Sequence, residues 1–254
     1  MRKVEQQSTH AEQRGANGPS TIAPSQHGER EASAALGGTA LRRDEQGLAL
    51  VGDGMVLRGD FSQLLPRIRK GRLSSELLVR AAKVRDCAEP WAIDATAGLG
   101  EDSFLLAAAG FRVSMYESDP TVAALVRDAL DRAQANPDLP DIACRMELFE
   151  EDSIEAMSHL GGTPDVIYLD PMFPERRKSA AVKKKFQLIH HLEAPCQNEG
   201  ALLAAAISAG PRKVVVKRPA KGPHLAGVKP SHSLAGKAVR YDVIIPASIK
   251  IPLA

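Results

Sequence analysis

From Trp91 onward the apolar positions switch repeatedly between two spacings. Short runs at Ala92-Ile93, Val113 to Tyr116, Cys144 to Leu148, Val166 to Leu169, Val214 to Val216 and Tyr241 to Ile245 predict strands. Longer stretches with helical spacing lie between them, at Ser103 to Ala109, Thr121 to Ala135, Ser153 to Ser158 and Ala181 to Cys196. A regular strand–helix alternation implies βαβ units, a mostly parallel sheet and a Rossmann-like α/β layering. Lys217 to Ser233, rich in Pro, Gly, Lys and His, predicts an exposed loop before the last strand.

Upstream the pattern is thinner. Leu73 to Val84 carries Leu77, Leu78, Ala81 and Ala82 at helical spacing and leads into the main domain. A short helix from Arg30 to Leu36 and extended pieces at Ala40-Leu41, Leu48 to Val51 and Met55 to Leu57 predict a small N-terminal appendage. Residues 1–27 hold almost no large apolar side chains and are expected to be disordered, because they cannot bury enough surface to offset their ordering entropy. The expected organisation is therefore a tail over 1–27, an α/β appendage over 28–72 and the main domain over 73–254.

Bulk properties narrow the class without choosing the chemistry. The 254 residues, 25% charged and 44% hydrophobic, have room for one full α/β domain with additions. A net charge of +2 means that any nucleic-acid role rests on local patches. Cys87, Cys144 and Cys196 are odd in number, far apart and form no C-x-x-C, which argues against a disulfide framework or a zinc site. Neither a membrane-length apolar run nor an apolar signal core is visible, so the expected location is the cytoplasm.

The chemistry gathers at predicted strand ends. Asp94-Ala95-Thr96-Ala97-Gly98-Leu99-Gly100 follows the first strand and opens the first helix, and its glycines let the backbone turn tightly against a ligand. A dinucleotide fingerprint would want a third glycine where Ser103 stands, and Asp94 suits an ammonium better than a pyrophosphate. The segment resembles the D-x-x-x-G-x-G motif of class I methyltransferases, which implies S-adenosylmethionine (SAM) as cofactor, held by Asp94, Ala95, Gly98 and Gly100. Glu117, followed by Ser118, ends the second strand, where an acid can accept both ribose hydroxyls. After the third strand the resemblance implies an acid near the adenine amine, with Asp152 preferred and Glu151 open as its neighbour.

The fourth strand ends in Asp170-Pro171-Met172-Phe173. Pro171 cannot extend a ladder, so the strand stops there and leaves Asp170 at its carboxyl end beside an aromatic ring. An acceptor side chain, a free carbonyl and a π-face suit a planar group bearing an NH₂. The segment resembles the D-P-P-[FYW] motif of methyltransferases acting on exocyclic amines, with Met172 in the third place. Asp170 and the Pro171 carbonyl would then accept the amine hydrogens, with Asp170 also bordering the cofactor, and Phe173 would stack on the base. No metal is implied.

Positive charge follows at once in Arg176, Arg177 and Lys178, then Lys183, Lys184 and Lys185. Such density beside a catalytic loop is what phosphate docking needs. Lys217 and Arg218 at the end of the fifth main-domain strand extend the candidate RNA-binding set, and Arg67, Arg69, Lys70 and Arg72 form a further basic cluster that a solvated face explains equally well. The D-A-T-A-G-L-G segment, Tyr168 to Pro174, Lys178-Ser179-Ala180 and Val214 to Pro219 together resemble the ribosomal RNA small subunit methyltransferase J family, from about Asp60 to Asp242. That resemblance implies a Rossmann-like class I methyltransferase fold and transfer of a methyl group from SAM to a guanine N2 amine. The implied partner is small-subunit rRNA, naked or in an assembled subunit. Two alternatives stand beside it: methylation of an amino group on another RNA, DNA or protein, and a non-catalytic RNA- or SAM-binding assembly factor. A Rossmann dehydrogenase is more distant.

Overall fold

The computed structural model describes residues 39–52, 54–172 and 198–248. The predicted tail, the helix at 30–36 and the helix at 181–196 lie outside the described residues, as does the 176–185 basic cluster.

Seven strands form the central sheet: β4 (Trp91–Asp94), β5 (Arg112–Tyr116), β6 (Met146–Phe149), β7 (Val166–Leu169), β8 (Lys213–Pro219), β9 (His232–Ala235) and β10 (Val239–Ile244). Their order is β6-β5-β4-β7-β8-β10-β9. The first five run parallel, and β10 pairs antiparallel with both β8 and β9. A second sheet of β1 (Thr39–Asp44), β2 (Gly47–Gly52) and β3 (Met55–Leu57) is antiparallel throughout.

Helices cover the large sheet on both faces. α1 (Leu65–Ile68), α2 (Leu77–Ala82), α3 (Glu101–Ala108), α4 (Pro120–Ala135), α5 (Pro140–Ala143), α6 (Ser153–Met157) and α7 (Glu199–Ser208) appear in chain order. The sequence pattern explains the longest of them. α4 begins with Pro120 at its first position, and the Asp119 carboxylate accepts from the amides of Thr121 and Val122, a cap worth about 1 kcal/mol. Val122, Val126, Ala129 and Ala133 recur at helical spacing and are buried.

The period-2 alternation of the central strands divides the core. Val113, Met115, Tyr168 and Val215 point into one cluster with Phe104 of α3 and Val122 and Val126 of α4. Ile93, Ile167, Leu169, Val214 and Val216 point into the other, with Met157 of α6 and Leu202 and Leu203 of α7. The small sheet rests on α4: Leu50 and Leu57 pack on Leu125, and Asp128 accepts from the Leu48 amide. Just after it, Phe61 stacks on Phe104 with ring centroids 5.2 Å apart.

Several elements differ from expectation. β6 starts at Met146 instead of Cys144, because Pro140 to Ala143 wind into a helical turn and the Cys144 amide bonds back to the Pro140 carbonyl. The segment from 217 to 233, expected as loop throughout, contains the end of β8 and the start of β9. The helix α7 was not expected; Asn198 caps it by accepting from the Ala201 amide. Instead of one helix over 73–84, a 3₁₀ turn at Leu73–Ser75 precedes α2.

Candidate active site

In a parallel sheet the crevice for a ligand opens where successive connections leave in opposite directions. Here that point lies between β4 and β7, since β5 is added on one side of β4 and β7 on the other. Four predicted acids stand at or just beyond the carboxyl ends of four adjacent strands: Asp152 after β6, Glu117 after β5, Asp94 on β4 and Asp170 after β7. Strand spacing spreads this row over roughly 14 Å.

Asp94 is 1% exposed. Its Oδ2 accepts from the Ser103 hydroxyl at 2.6 Å and its Oδ1 from the Thr96 amide at 3.1 Å. Among the described residues it forms no ion pair, and burial pushes its carboxyl up to about 7. Ser103, the residue that breaks the dinucleotide fingerprint, is thus a buried partner of the first acid. Gly98 and Gly100 hold φ of 50° and 75°. At Gly100 a Cβ would also come within 3.3 Å of the Phe61 ring, so both conformation and packing demand glycine.

Glu117 is buried and ties the glycine loop to its own strand end. Its Oε2 accepts from the Gly98 amide at 3.0 Å and its Oε1 from the Asp119 amide at 2.8 Å. Burial raises its carboxyl above the usual range. Each oxygen keeps a lone pair, which leaves acceptor capacity for hydroxyl donors. Ser118 beside it is exposed. Asp152 caps α6, with Oδ1 accepting from the amides of Ile154 and Glu155. Its neighbour Glu151 lines a cavity of about 370 Å³ with Tyr116 and Phe149, whose rings stack at 5.1 Å.

The fourth acid has different company. The Asp170 amide donates to Thr96 Oγ1 at 2.7 Å, and the Ala95 amide donates to the Tyr168 carbonyl at 3.1 Å, so the two loops at the crevice are joined. Lys217 Nζ lies 2.8 Å from Asp170 Oδ2 and 2.7 Å from Asp102 Oδ2. The Tyr168 hydroxyl donates to that same Asp102 oxygen at 2.6 Å. Burial raises the Asp170 carboxyl, and the Lys217 charge opposes the rise. Burial disfavours the Lys217 charge, yet the two carboxylates hold it protonated well above the usual lysine range.

The expected RNA contacts divide. Phe173, Arg176, Arg177, Lys178, Lys183 and Lys184 lie outside the described residues. Lys217 shares the β8 face of Val215, toward α3, which explains its approach to Asp102. Arg218 lies on the other face, is 1% exposed, and donates to the Pro223 carbonyl and Glu199. In this conformation its guanidinium serves the interior, and the expectation of phosphate contact does not match that placement. Arg69, Lys70 and Arg72 are exposed, whereas Arg67 makes a two-pronged pair with Glu76. Thr96, Asp102 and Tyr168 were not anticipated as site residues. Only the polar Thr96 inside the glycine loop and Asp102 in the first turn of α3 carried a signal.

These residues fit SAM on structural grounds. A buried carboxylate lacking a cationic partner among the described residues matches an ammonium, an acid beside the glycine loop matches ribose hydroxyls, and the left-handed glycines let backbone approach. The strand order, the antiparallel β10 and the glycine loop define a class I methyltransferase fold, with SAM as cofactor. The family described as "Putative SAM-dependent methyltransferase" matches residues 38–246. The ribosomal RNA small subunit methyltransferase J of Neisseria meningitidis serogroup C is 43% identical over 206 residues, covering 80% of this chain and 82% of that one. Its namesake in Stutzerimonas stutzeri is 47% identical over 171 residues, covering 67% of this chain and 66% of that one. A crystal structure of a SAM-dependent methyltransferase from Neisseria gonorrhoeae superposes with a TM-score of 0.68 at 35% identity, covering 85% of this chain and 86% of that one. The chain belongs to the ribosomal RNA small subunit methyltransferase J family.

Proposed function

We propose that this protein transfers a methyl group from SAM to the exocyclic N2 amine of a guanine in small-subunit ribosomal RNA. The observation that carries the reading is the position of Asp170 at the crevice, next in the row to the acids that suit the cofactor, with Lys217 against its carboxylate. The names of the relatives support ribosomal RNA as the substrate.

An exocyclic base amine is a poor nucleophile because its lone pair is delocalised into the ring. When bound, SAM supplies a sulfonium methyl whose C–S bond breaks with the electron pair remaining on sulfur. The protein's part is positioning and proton acceptance. Asp170 and the Pro171 carbonyl accept the amine hydrogens and aim the nitrogen. As the N–C bond forms, the nitrogen sheds a proton to the Asp170 carboxylate, which passes it to water. Phe173 stacks on the base, and the 176–184 cations meet phosphate. Asp94 holds the methionine ammonium, with the Ala95, Gly98 and Gly100 backbone turning about that end of the cofactor. Glu117 holds the ribose with Ser118 beside it, and Asp152 or Glu151 meets the adenine amine. The target base must be unpaired or flipped out, since a duplex hides the N2 amine.

The test is transfer of tritiated methyl to purified small subunits and to naked rRNA from a strain lacking the gene, followed by nucleoside analysis. Label in N2-methylguanosine is the expected result, and the comparison of substrates shows which form is recognised. Label in another nucleoside, or none in rRNA with SAM binding intact, overturns the reading.

A further inference from the structure

Lys217 stands at the end of a strand in a K-R-P sequence, where a basic residue would ordinarily be read as reaching for phosphate. Its geometry points elsewhere. The ammonium is inside hydrogen-bond distance of two carboxylates, and one of them, Asp102, is itself held by the buried Tyr168 hydroxyl. Three secondary-structure elements supply this chain of contacts: Tyr168 from β7, Asp102 from the first turn of α3 and Lys217 from β8. Asp170 begins the loop at its far end. Asp102 gives the lysine a second carboxylate partner besides Asp170, so its position does not depend solely on the group it supports.

We propose that Lys217 is a positioning residue for methyl transfer, which holds the Asp170 carboxylate in its acceptor orientation from an anchor on Asp102 and Tyr168. The proposal rests on the reading of Asp170 as the acceptor of the amine proton. Among the described residues, the charged and titratable groups around that carboxylate are Lys217 and Arg218 from β8, Asp102 from α3, Asp94 from β4 and Tyr168 from β7. Tyr241 of β10 and Arg67 of α1 lie next in the same field. Among these, Lys217 is the cation that touches Asp170. Asp102 acts in the opposite sense on Asp170, and its own pairing with Lys217 limits that repulsion. A carboxylate that lost Lys217 would protonate at higher pH, and a protonated carboxyl donates a hydrogen bond where the amine needs an acceptor.

The experiment compares wild type with Lys217→Met, Lys217→Arg and Asp102→Asn. The Asp170 carboxyl is titrated by carbon-13 NMR in protein labelled at aspartate, with Asp170→Asn assigning the signal. In the same proteins kcat and KM for RNA are measured against pH and salt. For Lys217→Met the expected result is an Asp170 titration moved to higher pH, an acid limb of kcat moved the same way, and kcat at neutral pH lower by about tenfold to a hundredfold. KM for RNA and its salt dependence stay near wild type, and Lys217→Arg recovers part of the loss. A raised KM with a shallower salt slope, and an unmoved kcat profile and Asp170 titration, would make Lys217 a phosphate contact and overturn the proposal. A wild-type protein that methylates no guanine amine would instead overturn the proposed function. In that case the Asp170 titration in Lys217→Met still decides whether the lysine governs this carboxylate.

Discussion

The acids at the crevice are built in two opposite ways. Asp94 and Glu117 are buried, take their hydrogen bonds from backbone amides and one hydroxyl, and form no ion pair among the described residues. Asp170 is more open to solvent and has a lysine against it. A buried carboxylate without a cation is held at a disadvantage that a cationic or hydroxyl-bearing ligand relieves, so the first pair is prepared to be completed by a cofactor. A carboxylate already paired needs no ligand to stay ionised and is prepared to act as an acceptor. On the proposed reading, Asp94 and Glu117 would bind the cofactor and Asp170 would take part in the reaction.

The sharpest way to break this comparison is Asp170→Ala. It should lower methyl transfer by about 10²- to 10⁴-fold while SAM affinity, read by calorimetry, changes little. A comparable fall in SAM affinity would erase the division. Asp94→Asn should do the reverse, weakening SAM by about 10- to 100-fold through loss of a charge-assisted contact. The pH dependence follows from the same group. Its folded-state carboxyl lies near 7, above the ordinary value of 3.8. The stability it contributes is therefore full below pH 3.8 and lost as pH rises towards and through 7. The ligand-free wild type should lose thermal stability relative to Asp94→Asn over that window. SAM, which favours the ionised form, should bind more weakly as pH falls below about 7.

Two smaller effects sharpen the picture. Gly100→Ala forces a left-handed residue against the Phe61 ring and should cost about 1–2 kcal/mol in denaturant unfolding, with weaker SAM binding. Asp152→Ala removes the α6 cap, worth about 1 kcal/mol. If Glu151 is the adenine partner, that variant should keep its SAM affinity once stability is accounted for, whereas Glu151→Gln should not.

The fold was largely legible because the main domain keeps strict periods: two for strands, near 3.6 for α4. What escaped was set by tertiary pairing. The edge strand β9 reads as a loop, since His232 to Ala235 are mostly exposed and become a strand only by pairing with β10. The helix α7 is apolar and alanine-rich, without a one-sided stripe to announce it. At the site, motif order placed four acids at strand ends, but no motif says which of them a lysine will meet. Lys217 and Arg218 look equivalent as adjacent basic residues. Strand alternation sends one to Asp170 and the other to Glu199 on the opposite face.

The contact between Phe61 and the glycine loop also bears on how the chain comes off the ribosome. The three-stranded antiparallel sheet rests its apolar face on α4, which is synthesised well after it. Those strands have no α4 to cover their apolar face until that helix has been made. The packing of Phe61 against the glycine loop and Phe104 likewise joins segments far apart in sequence. Folding of this protein should accordingly be governed by contacts distant in sequence, with the small sheet docking only once α4 is available to receive it.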